Sequence, residues 1–154
     1  MNRVPDARSA LVSDALIDRL SAQHRQVEAL ITELSEAMTH HRLGRSRELL
    51  TAIRSALLGH LALEDLELYP ALIVAAQRTG SKEDEQLART SASHMESISR
   101  QLKEFFSRDS EQEVDAATQK RELTAMLTML TMRIRSAETV LYPLYLKLCV
   151  IRRA

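Results

Sequence analysis

His60 and Glu64 stand four residues apart in a stretch that closes on Leu68-Tyr69-Pro70, giving the pattern H-x-x-x-E-x-x-x-L-Y-P. On a helix, positions i and i+4 share a face, so an imidazole and a carboxylate project together. A buried, ionised glutamate is costly unless it is paired or bound to a metal. His24 and His94 fall on apolar stripes of two further segments. Three histidines and a carboxylate converging inside a helical bundle form a donor set suited to iron. Each residue also has a plainer reading. A lone histidine on an apolar face is more often a satisfied core residue, and His60 with Glu64 can be an inward hydrogen-bonded pair. Their joint occurrence at matched places favours a site. The tripeptide returns at Leu141-Tyr142-Pro143, but the same count back from Pro143 lands on Arg133 and Ala137. The second half keeps the frame and lacks both donors.

Four amphipathic helical segments must position these residues. The first is expected over about Ser9 to Thr39, with Leu16, Leu20, His24, Val27, Ile31, Leu34 and Met38 inward. Leu43-Gly44-Arg45 reads as the end of the first connection and Ser46 as an N-cap. The second helix runs to about Gln77, with Leu49, Ile53, Leu57, His60, Glu64, Leu68 and Ala71 inward. Pro70 should kink it or break its last turns, and Gly80 is the expected C-terminal stop. Ser81, followed by Glu83, Asp84 and Glu85, begins the third helix, whose inward set is Leu87, His94, Ile98, Leu102 and Phe105. After a polar connection from Ser107, the fourth helix presents Leu123, Leu127, Leu130, Ile134, Ala137 and Leu141. Short connections between long helices predict an all-α, up-down-up-down four-helix bundle filling a single domain, 1–154. The two hairpins are then related by a pseudo-twofold axis, His24 matching His94.

Composition narrows the function. The chain has 154 residues, with 21 Lys and Arg against 21 Asp and Glu. A net charge of zero implies no general affinity for nucleic acid or membrane surfaces. The basic clusters at residues 40–47 and at Arg152-Arg153 read as solvated helix ends or loops. Cys149 is the one cysteine and cannot form an internal disulfide, which fits a cytoplasmic setting. Asp6, Asp14 and Asp18 interrupt the first twenty residues, so no signal-peptide core is expected. No P-loop, glycine-rich dinucleotide turn or nucleophile elbow is present. The only enzymatic chemistry on offer is that of a half-open iron site, so a non-enzymatic role is favoured.

His24, the His60–Pro70 segment, His94 and Leu141-Tyr142-Pro143 together resemble the hemerythrin-like, or HHE cation-binding, family over nearly the whole chain. The resemblance implies a bundle built around a diiron centre used for oxygen binding or for response to oxygen, nitric oxide or iron. It carries over His24, His60, Glu64 and His94 as metal-ligand positions. The family expects His at position 133 and usually Glu at position 137. Oxygen-carrying members place the last carboxylate five residues after the final histidine, which makes Glu138 a substitute ligand. Arg133 itself cannot ligate, because guanidinium stays protonated and offers only donors.

Three outcomes follow: one iron held by the retained residues, a distorted dinuclear site completed by Glu138, or no metal. In the last, Arg133 or Arg135 pairs with Glu64 or Glu138 in the metal's place. The functional expectation is a sensory or regulatory protein with O2 or NO as a ligand. The alternative is a metal-free bundle with a regulatory protein partner. A weaker similarity to bacterial anti-sigma regulators of the Rsd/AlgQ type, over short segments around Arg133–Glu138, points the same way. Leu and Met residues outside the main stripes, such as Leu66 and Met129, leave room for self-association.

Overall fold

Asp14 opens the first helix. Its backbone is extended, and its Oδ1 accepts from the amides of Leu16 at 2.8 Å and Ile17 at 3.3 Å. Two of the donors that every helix start leaves open are thereby satisfied. Helix α1 then runs Ala15–Thr39. The structure is a computed structural model that describes residues 14–107 and 116–150. The start expected at Ser9 lies outside them; among the described residues the helix follows the Asp14 cap.

His41 turns the chain after α1. It adopts φ +55°, its amide donates to the Met38 carbonyl, and the Arg42 amide donates to Ala37 at 2.8 Å. This is a Schellman closure with a histidine where glycine is the usual occupant. The reversal is complete within three residues, so α2 starts at once and spans Leu43–Leu63. The expected cap at Ser46 is therefore corrected: Ser46 lies in the first turn of α2, and its hydroxyl donates back to the Arg42 carbonyl.

Pro70 does not break the second helix. The column continues through a π turn, Glu64–Leu68, into α3, Tyr69–Thr79. Proline has no N–H, and its ring clashes with the carbonyl four residues back. The Tyr69 amide just before it donates five residues back to Glu64 instead of four, which widens the turn and lets the helix go on. The second half repeats the device. Helix α5, Ala116–Ser136, passes through a π turn at Ala137–Leu141, where Tyr142 N–H donates to Ala137, into α6, Tyr142–Tyr145. A further π turn, Leu146–Val150, follows. Each of the first two π turns starts at the acid position of the repeat, so the repeat survives in the backbone where the side chains have diverged.

Gly80, at φ +73°, ends α3 as expected. The Ser81 hydroxyl accepts from the Asp84 amide at 3.2 Å and opens α4, Lys82–Ser107. Glu83, Asp84 and Glu85 complement the positive end of its dipole. The described residues thus form four helical columns and no strand, and none of their helices is long and apolar enough to cross a membrane.

The core has two apolar halves. One gathers Leu20, Leu68, Leu72, Ala88, Leu141, Tyr142 and Leu148. The other gathers Val27, Leu34, Ile53, Leu57, Leu102 and Leu130. Along every column, the residues between these halves are polar and buried: His24 on α1, His60 and Glu64 on the second column, Ser99 on α4 and Arg133 on α5. The bundle is therefore an apolar stack interrupted by one polar layer.

Candidate metal centre

His24, His60 and Glu64 are buried in this layer, none more than 2 % exposed. Each can offer a ligand atom, and those atoms all lie within 4.8 Å of one another. His24 Nε2 is 3.0 Å from His60 Nε2, and His60 Nε2 is 3.3 Å from Glu64 Oε2. The two imidazole centroids are 4.5 Å apart. Tyr142, stacked on His24, donates its hydroxyl hydrogen to Glu64 Oε2 at 2.8 Å and lies 3.2 Å from His24 Nε2.

With the Gln23 amide oxygen turned to His60, the hydrogen positions on the two rings are in conflict. His60 Nδ1 faces Gln23 Oε1 at 2.8 Å; with its hydrogen on that nitrogen, the ring turns a bare Nε2 toward both His24 and Glu64 Oε2. A hydrogen on His24 Nε2 would suit His60. It would also leave His24 Nδ1 bare, buried and 3.4 Å from the Glu138 carboxylate. A hydrogen on Nδ1 would suit Glu138 but leave two lone pairs facing each other at 3.0 Å. Protonating both nitrogens is no escape, because burial, then the neighbouring His60, lowers the His24 pKa to about 3. A cation between the two Nε2 atoms resolves the second arrangement, and so does a Gln23 amide turned to donate, which moves the His60 hydrogen to Nε2 and onto His24.

On the other side of Glu64 stands Arg133, wholly buried. Its Nη2 is 2.7 Å from Glu64 Oε1. The same nitrogen donates to Ser99 Oγ at 3.1 Å and to the Tyr69 hydroxyl at 3.2 Å. Two hydrogens are thus spent on hydroxyls, and the approach to Glu64 is a charge contact: Oε1 has no aligned hydrogen-bond partner among the described residues. Burial alone would raise the Glu64 pKa, but the close approach of His60 and the Arg133 charge outweigh it and hold the carboxyl at about 2. Burial opposes the Arg133 charge, yet Glu64 keeps its pKa raised. Tyr69 and Tyr142 are both pushed up by burial first and by Glu64 second, so each remains a neutral hydroxyl.

The model of the hemerythrin HHE cation-binding domain matches residues 15–145. The chain belongs to that family. No curated protein and no solved structure matches it. Against the hemerythrin pattern, the donors present fit one ion. Two nitrogens bound to one metal at about 2.0–2.1 Å stand roughly 2.8–3.4 Å apart for bond angles near 90–110°. The His24–His60 spacing falls in that range. Two imidazoles and a carboxylate are also a set that non-haem iron(II) uses with open positions.

Among the described residues one group of donors converges. Arg133 brings a fixed positive charge to the place in the second repeat that matches His60, and Ala137, which matches Glu64, has no donor. His94, expected to face the core, is exposed on α4. The inward residues of that helix are Asp84, Ala88, Met95, Ile98, Ser99 and Leu102, one position later than the Leu87/His94 register. Ser99 is the α4 residue that reaches the layer, and it serves Arg133. Glu138, expected as a substitute ligand, approaches His24 at Nδ1, the ring edge opposite the ligand cluster, and it pairs with Arg25. Of the five expected ligands, the structure brings His24, His60 and Glu64 together and leaves His94 and Glu138 outside that cluster.

Tyr69, Tyr142, Ser99, Gln23 and Arg25 complete the layer and were not picked out from sequence as site residues. The tyrosines were visible as part of the repeated tripeptide, one residue before each proline, and that recurrence was the signal. Ser99, Gln23 and Arg25 carry none.

Proposed function

We propose that this hemerythrin-type bundle binds a single divalent transition-metal ion, iron(II) by the chemistry of its donors, through His24, His60 and Glu64. Arg133 takes the electrostatic place of the second ion. The observation that carries this is the 3.0 Å approach of the two Nε2 atoms, with Gln23 and Glu138 set behind the opposite nitrogens. The pair is directed inward at a common point, as metal-bound imidazoles are when their other nitrogen is held by an acceptor. With one ion instead of two, and with charged and hydroxyl groups closing the far side, the role proposed is sensing or regulation by oxygen, nitric oxide or iron supply.

The test is metal content. Protein purified anaerobically from iron-supplemented medium should carry near-stoichiometric iron, and His60→Ala should lose it. Trace iron that is the same in both proteins would refute the assignment.

A second reading rests on its own observations. Arg133 already compensates Glu64 from within the protein, so the layer holds no unpaired carboxylate without an ion. A groove of about 490 Å³ also runs between α1 and α5, its apolar lining Ile31, Met38, Leu127 and Met132. Lys120 and Arg135 are the first and last α5 residues to line it. On this reading the protein is a metal-free regulator that docks a protein partner. It requires that chelators leave the melting temperature unchanged.

A further inference from the structure

Glu138 occupies an unusual place. Ala137 takes the inward position at the start of the second π turn and is fully buried. Glu138, the next residue, leans over the rim of the layer with its side chain 27 % exposed. Its Oε2 faces inward to His24 Nδ1 at 3.4 Å and outward to Arg25 Nη2. Arg25 is in turn held by Glu28, Nη1 to Oε1 at 2.6 Å. Arg25 directly follows His24 in the chain, so the residue that fixes Glu138 and the residue that Glu138 faces lie on the same turn of α1.

His24 Nδ1 is buried and has no aligned hydrogen-bond partner among the described residues. An N–H there points its positive end at a carboxylate. A bare nitrogen there points a lone pair at the same carboxylate, in surroundings that screen little. The anion therefore discriminates between the two neutral forms of the ring. Ring nitrogens are commonly assigned in this way, by the hydrogen bond that the opposite nitrogen makes. Glu138 is badly placed to ligate the cluster, because it meets the wrong edge of the ring.

We propose that Glu138, anchored by Arg25, is a positioning residue for His24. It holds the ring hydrogen on Nδ1 and so keeps Nε2 bare toward His60 and Glu64. The residue has moved from the ligand set to the rear of a ligand. In its relation to the ion, this inference rests on the single-ion reading above. In its relation to the ring, it does not.

The experiment has two arms. In the first, the full chain is treated with chelator and the imidazole nitrogens are read by ¹⁵N NMR at neutral pH. His24 is expected to carry its hydrogen on Nδ1, its bare Nε2 accepting the hydrogen that a turned Gln23 amide leaves on His60 Nε2. Glu138→Leu should move the hydrogen to Nε2, where it bonds to His60. Glu138→Gln keeps an acceptor oxygen and should retain the Nδ1 form. A wild-type hydrogen on Nε2, or one that Glu138→Leu leaves in place, overturns the proposal without reference to any metal.

In the second arm, Co(II) binding is measured by competition with a chromogenic chelator. Glu138→Leu should weaken it by about 10–100-fold, the usual cost of losing a residue behind a ligating histidine. His60→Ala marks the loss of the centre itself. Co(II) bound equally by wild type and Glu138→Leu overturns the positioning role. Co(II) bound by neither wild type nor His60→Ala refutes the centre instead, and the NMR arm then decides the positioning role alone.

Discussion

Replacing Arg133 by methionine removes the buried cation and keeps most of the side-chain volume. Glu64 is then a carboxylate at 0 % exposure without its charge partner. Breaking a buried pair in this way costs about 3–5 kcal/mol. The ionisation of Glu64 gives a second route to the magnitude. A carboxyl held at about 2 against an ordinary 4.5 contributes on the order of 3 kcal/mol near neutrality, some of it owed to His60 and not to Arg133. The folded value is depressed, so this stability is present above the unfolded pKa and is lost as pH falls from about 4.5 toward 2. For a domain of this size, the methionine variant should melt roughly 10 °C lower in chelator at pH 7, at about 2–4 °C per kcal/mol. Glu64→Leu combined with Arg133→Met removes both charges and should recover most of the loss, because an apolar replacement of a buried pair is often neutral. A divalent ion should stabilise Arg133→Met more than wild type, since the ion then supplies the only positive charge facing Glu64. Thermal melts by circular dichroism, with and without Co(II), measure all of these. A single substitution costing under about 1 kcal/mol, or a double variant as unstable as the single one, would sink the claim that Arg133 neutralises Glu64.

Two further predictions concern other parts of the chain. His24 is held neutral at about 3 against an ordinary 6.5, so the unfolded chain binds the proton first and stability falls as pH drops from about 6.5 toward 3; urea titrations should show a loss approaching 1.4 kcal/mol per pH unit in that window, and His24→Asn should flatten it. His41 sits at φ +55° in the α1–α2 turn, a conformation that costs a residue with a Cβ about 1 kcal/mol, so His41→Gly should raise the melting temperature by a few degrees, and an unchanged or lower melting point would count against the turn geometry.

The helical stripes were legible because the core is mostly Leu, Ile and Val at helical spacing. His24, His60 and Glu64 were legible for a related reason: each replaces an apolar residue on such a stripe. His94 was misplaced by one position. The inward face of α4 includes Ala88 and Ser99, which carry little apolar signal, while Leu87 is 43 % exposed. A reading by hydropathy follows Leu87 and turns the helix by about 100°. The place of Arg133 on Glu64 was legible as chemistry, since a fixed cation suits a position that has lost its metal. That Glu138 would turn to Arg25 was not, because the choice depends on which ring edge the second π turn presents to it. The π turns themselves were half visible: each proline announced a disturbance, but not that the helix would absorb it by widening.

The two tyrosines of the repeat each serve the opposite hairpin. Tyr69 belongs to the first and accepts from Arg133 in the second. Tyr142 belongs to the second and donates to Glu64 in the first. Neither hairpin alone can satisfy its own buried charge. A slip of one hairpin along the other by a single helical turn would leave an arginine and a glutamate stranded among leucines. The polar layer is thus a register lock. Greasy stripes would tolerate several alignments of the four columns, but this layer admits one, and the cooperativity of the whole bundle hangs on it.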